Sequence, residues 1–196
     1  MVFRVRKLAI LAILPHRIQN IFKISYMKKI LALALFALLS CGISYAQSGL
    51  PRVYNEEINP VEQIEKALAT SAKEGKFVIA QLGGNWCPWC LKFADFITKD
   101  GEIKKMVEEN FVYIHVNYNP RKKLEGAQKE QTQKMLRRLG NPVRFGFPVF
   151  VVLDAKGKVL HTQDSNYLEE GEGYNKKKVM SFFKNWSPNA VKGAKL

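Results

Sequence analysis

Cys87 and Cys90 stand two residues apart in the run Trp86-Cys87-Pro88-Trp89-Cys90. That spacing lets two sulfurs close a disulfide across one helical turn. An apolar stretch precedes the run and a helical pattern follows it, so the first cysteine falls where a helix begins. Proline is favoured at the first helical position, which makes Pro88 the start of the helix and Cys87 its N-cap. Free N–H groups and the helix dipole favour negative charge there. The Cys87 thiol is therefore expected to ionise near or within the range of about 3.5–7.5 typical of such motifs. A thiolate is a nucleophile, so the pattern points to thiol–disulfide chemistry.

Other uses of a cysteine pair fit less well. Zinc usually takes four ligands, and after residue 46 the only histidines are His115 and His161. His115 lies in a strand pattern, so no metal site is expected. Covalent haem requires histidine directly after the second cysteine, where this chain has Leu91. A static structural disulfide is the plainest alternative, but so short a loop stabilises little, because the entropy removed from the unfolded chain grows with loop length.

The elements that must hold the pair can be read from periodicity. Val61, Ile64, Leu68 and Ser71 recur at helical spacing after Pro60, and Gly75 closes that helix. Residues 77–82 (FVIAQL) are an apolar run fit for a buried strand, broken by Gly83-Gly84-Asn85 before the cysteines. The motif helix runs through Leu91, Ala94 and Ile97 to about Thr98. Lys99-Asp100-Gly101 punctuates it, and a second helical stretch carries Ile103, Met106 and Val107. Residues 111–116 (FVYIHV) are a second strand. Residues 118–128 are polar and read as a loop or insertion, followed by a helix to Leu139. Residues 148–153 (PVFVVL) are a third strand, and Asp154–Gly157 turns into a fourth at 158–162. Val179, Phe182, Phe183 and Trp186 form one helix face. Strands separated by helices pair in parallel, and the late hairpin adds an antiparallel pair. The expectation is an α/β fold with a central mixed sheet and helices on both faces.

In this order of elements the chain resembles the thioredoxin superfamily, and most closely its exported bacterial thioredoxin-like members. The resemblance covers roughly residues 56–187. It rests on Trp86–Cys90 at a strand-to-helix junction, Gly146-Phe147-Pro148 opening the third strand, and the closing hairpin and amphipathic helix. It implies a thioredoxin fold and a thiol–disulfide oxidoreductase whose redox-active centre is the Cys87–Cys90 disulfide, with no separate cofactor. Cys87 would attack a protein disulfide, and Cys90, one turn further in, would resolve the mixed disulfide. The Pro88-Trp89 pair between them would tune a potential that in related domains spans roughly −270 to −120 mV. The resemblance also implies that Pro148 is cis, lies against the disulfide and presents the preceding backbone to an extended peptide. Trp86, Trp89, Phe145 and Phe147 would form an apolar rim for substrate, with Trp89 the most exposed because it lies between the cysteines.

Two residues depart from the family pattern. Many thioredoxins carry a buried Asp or Glu six residues before the first cysteine, where this chain has Gln81. A carboxamide does not exchange a proton at neutral pH, so that task falls to water or the thiols. Phe147 stands where many relatives have Thr, Ile or Val. Reduction, oxidation and isomerisation of protein disulfides all remain open, as do the substrate and the redox partner. A reading from another class is a thioredoxin-like module that binds polypeptides without redox turnover.

Charge and targeting signals frame this domain. Of the formal net charge of +14, the lysines and arginines of residues 1–46 contribute half, with no acidic residue among them. The runs 121–123 and 176–178 read as solvated faces, and without an aromatic-and-basic signature no nucleic-acid partner is expected. Lys28-Lys29, the apolar residues 30–39 and Ser44-Tyr45-Ala46 have the layout of a secretory signal peptide with cleavage after Ala46. The apolar run is shorter than the roughly 20 residues of a membrane span. Met27 is then the expected initiator, with residues 1–26 an upstream extension; a basic, partly apolar anchor is the alternative. Cys41 lies in a lipobox-like sequence, so it is either discarded on cleavage or lipidated as a membrane anchor. The expected organisation is an extension and signal peptide over 1–46, a lead-in over 47–59, the domain over 60–187 and a tail over 188–196. Export to the periplasm or beyond suits a disulfide-based activity, because disulfides persist outside the cytosol.

Overall fold

The computed structural model describes residues 49–193. The expected signal peptide, with its expected cleavage after Ala46, and Met27 and Cys41 lie outside the described residues.

Helix α1 (Pro60–Glu74) starts where expected. Asn59 caps it by accepting from the Val61 N–H at 3.0 Å, and its amide donates to Glu62 Oε1, so side chain and backbone fix the first turn together. Gly75 ends it at φ 70°, a left-handed conformation that a side chain would disfavour. Strand β1 (Phe77–Gly83) is buried throughout. Helices α2 (Pro88–Lys99) and α3 (Gly101–Asn110) meet at Asp100. Its N–H bonds to Phe96 O at the end of α2, while its carboxylate accepts from Glu102 and Ile103 at the start of α3. Strand β2 (Phe111–Asn117), helix α4 (Gly126–Arg138), strand β3 (Val149–Leu153) and strand β4 (Val159–Asp164) follow.

The sheet order is β2-β1-β3-β4. β1 and β2 run parallel, with Phe77 opposite Phe111 and Gly83 opposite Asn117. β3 is antiparallel to both β1 and β4. Alternation along the strands sends side chains to two cores. Phe77, Ile79, Phe111, Phe150 and Val152 pack with Phe93 and Ile97 of α2 and Ile103 and Val107 of α3. Val78, Ala80, Leu82, Val116, Val149 and Val151 pack on the other face with Ile64 and Leu68 of α1 and Met135 of α4. The result is the expected α/β architecture, a mixed central sheet with helices on both faces.

The stretch between β4 and the last amphipathic helix, unassigned above, folds into a short hairpin, β5 (Glu169–Glu170) with β6 (Gly173–Tyr174). Helix α5 (Lys176–Asn185) follows. Residues 188–196, read above as a tail, open with a short helix α6 (Pro188–Gly193), in which Pro188 is buried and Val191 packs against the larger core. Among the described residues no helix is long and apolar enough to cross a membrane.

Candidate active site

The site sits where the end of β1 turns into α2. Cys87 has extended backbone angles and caps α2, with Pro88 at the first helical position. Its sulfur accepts from the Cys90 N–H at 3.2 Å, and its carbonyl accepts from the Leu91 N–H at 3.2 Å. The Cys87 N–H donates to Gly84 O at 3.0 Å, which closes the turn out of β1. Cys87 and Cys90 are joined by a disulfide, with their Cα atoms 5.2 Å apart. Cys87 is the outer partner at 4% exposure, and Cys90 is fully enclosed. The apolar side chains packed around the pair are Tyr54 and Leu91, with Leu50, Val53, Trp89 and Phe147 at the margin. Negative charge on Cys87 in the dithiol form would thus be met by a helix N-terminus in apolar surroundings.

Beneath the pair, Gln81 is fully buried and saturated with hydrogen bonds. Its amide nitrogen donates to Tyr54 Oη at 2.6 Å and to the Cys90 carbonyl at 3.0 Å, while its oxygen accepts from Tyr113 Oη at 2.6 Å. The two tyrosines come from opposite sides, Tyr113 from β2 and Tyr54 from the lead-in segment. Asn85 clamps the Tyr54 backbone, accepting from its N–H at 3.1 Å and donating to its carbonyl at 2.8 Å. Burial pushes both phenols well above their ordinary value, so both stay protonated. The His115 ring lies edge-on to Tyr54 and Tyr113, at centroid distances of 5.3 and 5.4 Å. Burial holds its pKa down at about 4, so it is neutral at physiological pH. Gly83 makes room for this arrangement, since a Cβ there would collide with Cys90 Sγ and lie 2.9 Å from Tyr54 Oη.

The Phe147–Pro148 peptide is cis, and Pro148 is buried at the head of β3. The aromatic residues expected at the rim fall into separate groups. Trp86 lies edge-on to Phe147 at 5.3 Å and donates its indole N–H to Tyr118 O, while Tyr118 stacks on Phe147 at 5.7 Å. Trp89 packs instead against Tyr174 of β6, edge-on at 5.6 Å, with Lys92 Nζ 4.6 Å from its ring. Tyr174 Oη also donates to the Trp89 carbonyl at 3.0 Å. The expectation that Trp89 is the most exposed is therefore corrected. Trp86 and Phe145 are exposed at 37% and 45%, and Trp89 is half-buried because the β5–β6 hairpin supports it. Phe145 stands apart under the Arg144 guanidinium.

Tyr54, Asn85, Tyr113 and Tyr174 were not singled out from the sequence. Tyr113 sits in a strand pattern that reads as core. Tyr54 lies in a segment without periodicity, so only the fold reveals its place against Cys90. Among the described residues no group of three or more His, Cys, Asp or Glu side chains could hold a metal ion.

The chain is similar to known proteins in sequence and in fold. A disulfide bond reductase, DsbH from Chlamydia pneumoniae, is 29% identical over 100 residues, which are 50% of this chain and 58% of that protein. The matched region thus spans less than two thirds of its relative. The solved structure of a disulphide isomerase from Xylella fastidiosa Temecula1 superposes with a TM-score of 0.56 at 21% identity, covering 70% of this chain and 97% of the other, a likeness of fold. The family described as thioredoxin-like domain matches residues 64–170, more than half of the sequence, and the chain belongs to that family.

Proposed function

We propose that this chain is an exported thiol–disulfide oxidoreductase acting on protein disulfides, with the Cys87–Cys90 pair as its redox-active group. The observation that carries the reading is the graded burial of the pair at the N-terminus of α2: the outer sulfur caps the helix and the inner one is enclosed beside it. In the reducing direction, the Cys87 thiolate attacks one sulfur of a substrate disulfide. A Cys87–substrate bond forms, and the second substrate sulfur leaves with the electron pair and takes a proton from solvent. Cys90, as thiolate, then attacks Cys87 Sγ. The Cys87–Cys90 bond forms, the Cys87–substrate bond breaks, and the substrate departs as its second thiol. Two electrons pass from the chain to the substrate, and a separate redox partner restores the dithiol. The reductase name of the chlamydial relative supports this direction. Trp86, Phe147 and the cis Pro148 would receive the substrate peptide beside Cys87, with Trp89 and Pro88 on its other flank. The leader pattern of residues 27–46 supports release outside the cytosol, as a periplasmic or secreted protein, or retention on a membrane if Cys41 is lipidated.

The test is trapping. Cys90→Ser should accumulate a mixed disulfide between Cys87 and a disulfide-bonded protein such as insulin, seen as a mass increase that dithiothreitol reverses. Cys87→Ser should reduce insulin no faster than buffer does. Full turnover by Cys87→Ser, or a native disulfide that dithiothreitol does not reduce, would overturn the enzyme reading in favour of a module that binds polypeptides without turnover.

A further inference from the structure

The buried hydroxyl of Tyr54 has a hydrogen with no acceptor of its own. Its oxygen accepts from Gln81, and among the described residues no hydrogen bond uses it as donor. A single point, the position of a Cβ on Gly83, lies 2.9 Å from Tyr54 Oη and closer still to Cys90 Sγ. Less than twice that distance therefore separates phenol oxygen and sulfur, and both belong to one small buried cluster. No hydrogen bond joins them in the disulfide form, where the sulfur is bonded to Cys87 and carries no charge. Reduction changes the sulfur, not the donor. A buried Cys90 thiolate needs a donor, and among the described residues no lysine, arginine or histidine is fully buried.

We propose that Tyr54 donates its hydroxyl hydrogen to the Cys90 sulfur in the dithiol form and so stabilises the thiolate that resolves the mixed disulfide. This rests on the oxidoreductase reading and adds to it a residue from outside the motif. Tyr54 keeps its proton throughout: the Cys87–Cys90 bond forms, the Cys87–substrate bond breaks, and the departing sulfur carries the electron pair and is protonated by solvent. The polarity of the network favours the role. Tyr113 donates to Gln81, Gln81 donates to Tyr54, and each donation makes the next hydrogen a better donor. The amide thus serves a different purpose from the acid that many thioredoxins place here. It accepts no proton; it turns a phenol towards the sulfur.

The titratable groups facing this point are few. Tyr113 and His115 come from β2, Tyr54 from the lead-in, and Cys87 from the cap of α2. Tyr174 of β6 reaches the Trp89 carbonyl, and the exposed Glu56 reaches Asn85. His115 is neutral above about pH 4, and burial holds the three phenols protonated, so none of these four groups changes charge around neutral pH.

The experiment is a titration of the reduced full-length protein carrying Cys41→Ser and 13C at cysteine Cβ, which reads Cys87 and Cys90 separately. Tyr54→Phe should raise the Cys90 midpoint by about one pH unit and slow resolution of the mixed disulfide at pH 7 by a similar, roughly tenfold, factor. Tyr113→Phe, one bond further back, should move it the same way by less. A folded Tyr54→Phe protein with an unmoved or lowered midpoint overturns the proposal. Should Tyr54→Phe not fold, the Tyr113→Phe midpoint decides, and no movement there overturns it. The oxidoreductase reading is tested apart from this: trapping by Cys90→Ser with Tyr54 intact keeps that reading whatever Tyr54→Phe does.

Discussion

Gln81 shows why one atom type decides a site. An amide donates twice and accepts once here, and each of its bonds is matched by a buried partner. A carboxylate would turn a negative oxygen towards the Cys90 carbonyl and leave the Tyr54 oxygen without a donor. The neighbouring His115 has the opposite situation, with its buried Nε2 unpartnered. Its folded pKa of about 4 lies below the value near 6.5 of an unfolded chain. Between those values the unfolded chain takes up a proton that the folded chain refuses, so stability must fall as the pH drops through that window. The loss should reach about 2 kcal/mol by pH 4, after allowing for partial exposure of the ring. Urea unfolding at pH 7 and pH 4.5 should show most of it, and His115→Gln should flatten the difference. Asp100, held low chiefly by its bond to Lys176, is lost only below its unfolded value of 3.8, beneath that range. An equal pH slope in His115→Gln would assign the effect elsewhere.

Among the elements, the β5–β6 hairpin has the least regular structure and a large local effect. It carries Tyr174, which supports Trp89 and also lies edge-on to Phe93 at 4.8 Å. Asn175 ties the hairpin to α5, accepting from the Lys178 N–H at 3.0 Å and donating to Glu170 Oε1 at 2.9 Å. Asn175→Ala should cost about 1 kcal/mol in urea unfolding, the usual value of an N-cap, and leave the reduction potential unchanged because the Asn175 side chain bonds to Glu170 and Lys178 and not to Tyr174 or Trp89. A shifted potential at constant stability would place the hairpin in the redox chemistry itself. This hairpin also marks where sequence reading ends. The long strands and helices were legible because Phe77–Leu82 is an almost unbroken apolar run and Val179–Trp186 repeats apolar residues at helical spacing. The cysteine cap was legible because proline and spacing act locally. The hairpin's strands are two residues each, too short for a pattern. Tyr54 gains its role only from a hydrogen bond to Gln81, 27 positions along the chain, which no local rule encodes.

At the scale of the whole molecule, the sheet divides the protein into a layer that carries the chemistry and a layer that supports it. The site helix α2 rests on the first core, where Phe93 meets Phe150 of β3 at a centroid distance of 4.4 Å. Val151, the next residue on β3, faces the other core with Ile64 and Met135. The two side chains share a strand, are both fully buried, and differ in which face they fill. Removing volume from either should destabilise, since a cavity in a close-packed interior costs its lost contacts as well as its lost burial. Phe150→Leu and Val151→Ala should each lose about 1–3 kcal/mol in urea unfolding. Their redox behaviour should separate. Without its Phe150 floor, α2 can shift relative to the turn that presents Cys87, which weakens the cap that favours the thiolate. Equilibration with glutathione should then show a change of about 10–30 mV for Phe150→Leu, where 30 mV corresponds to about 1.4 kcal/mol for two electrons. Val151→Ala should leave the potential within about 5 mV of the parent, because α1 and α4 absorb its cavity on the far side of β3. Equal shifts in the two variants would mean that the sheet transmits strain across both faces, and the division between a redox layer and a supporting layer would fail.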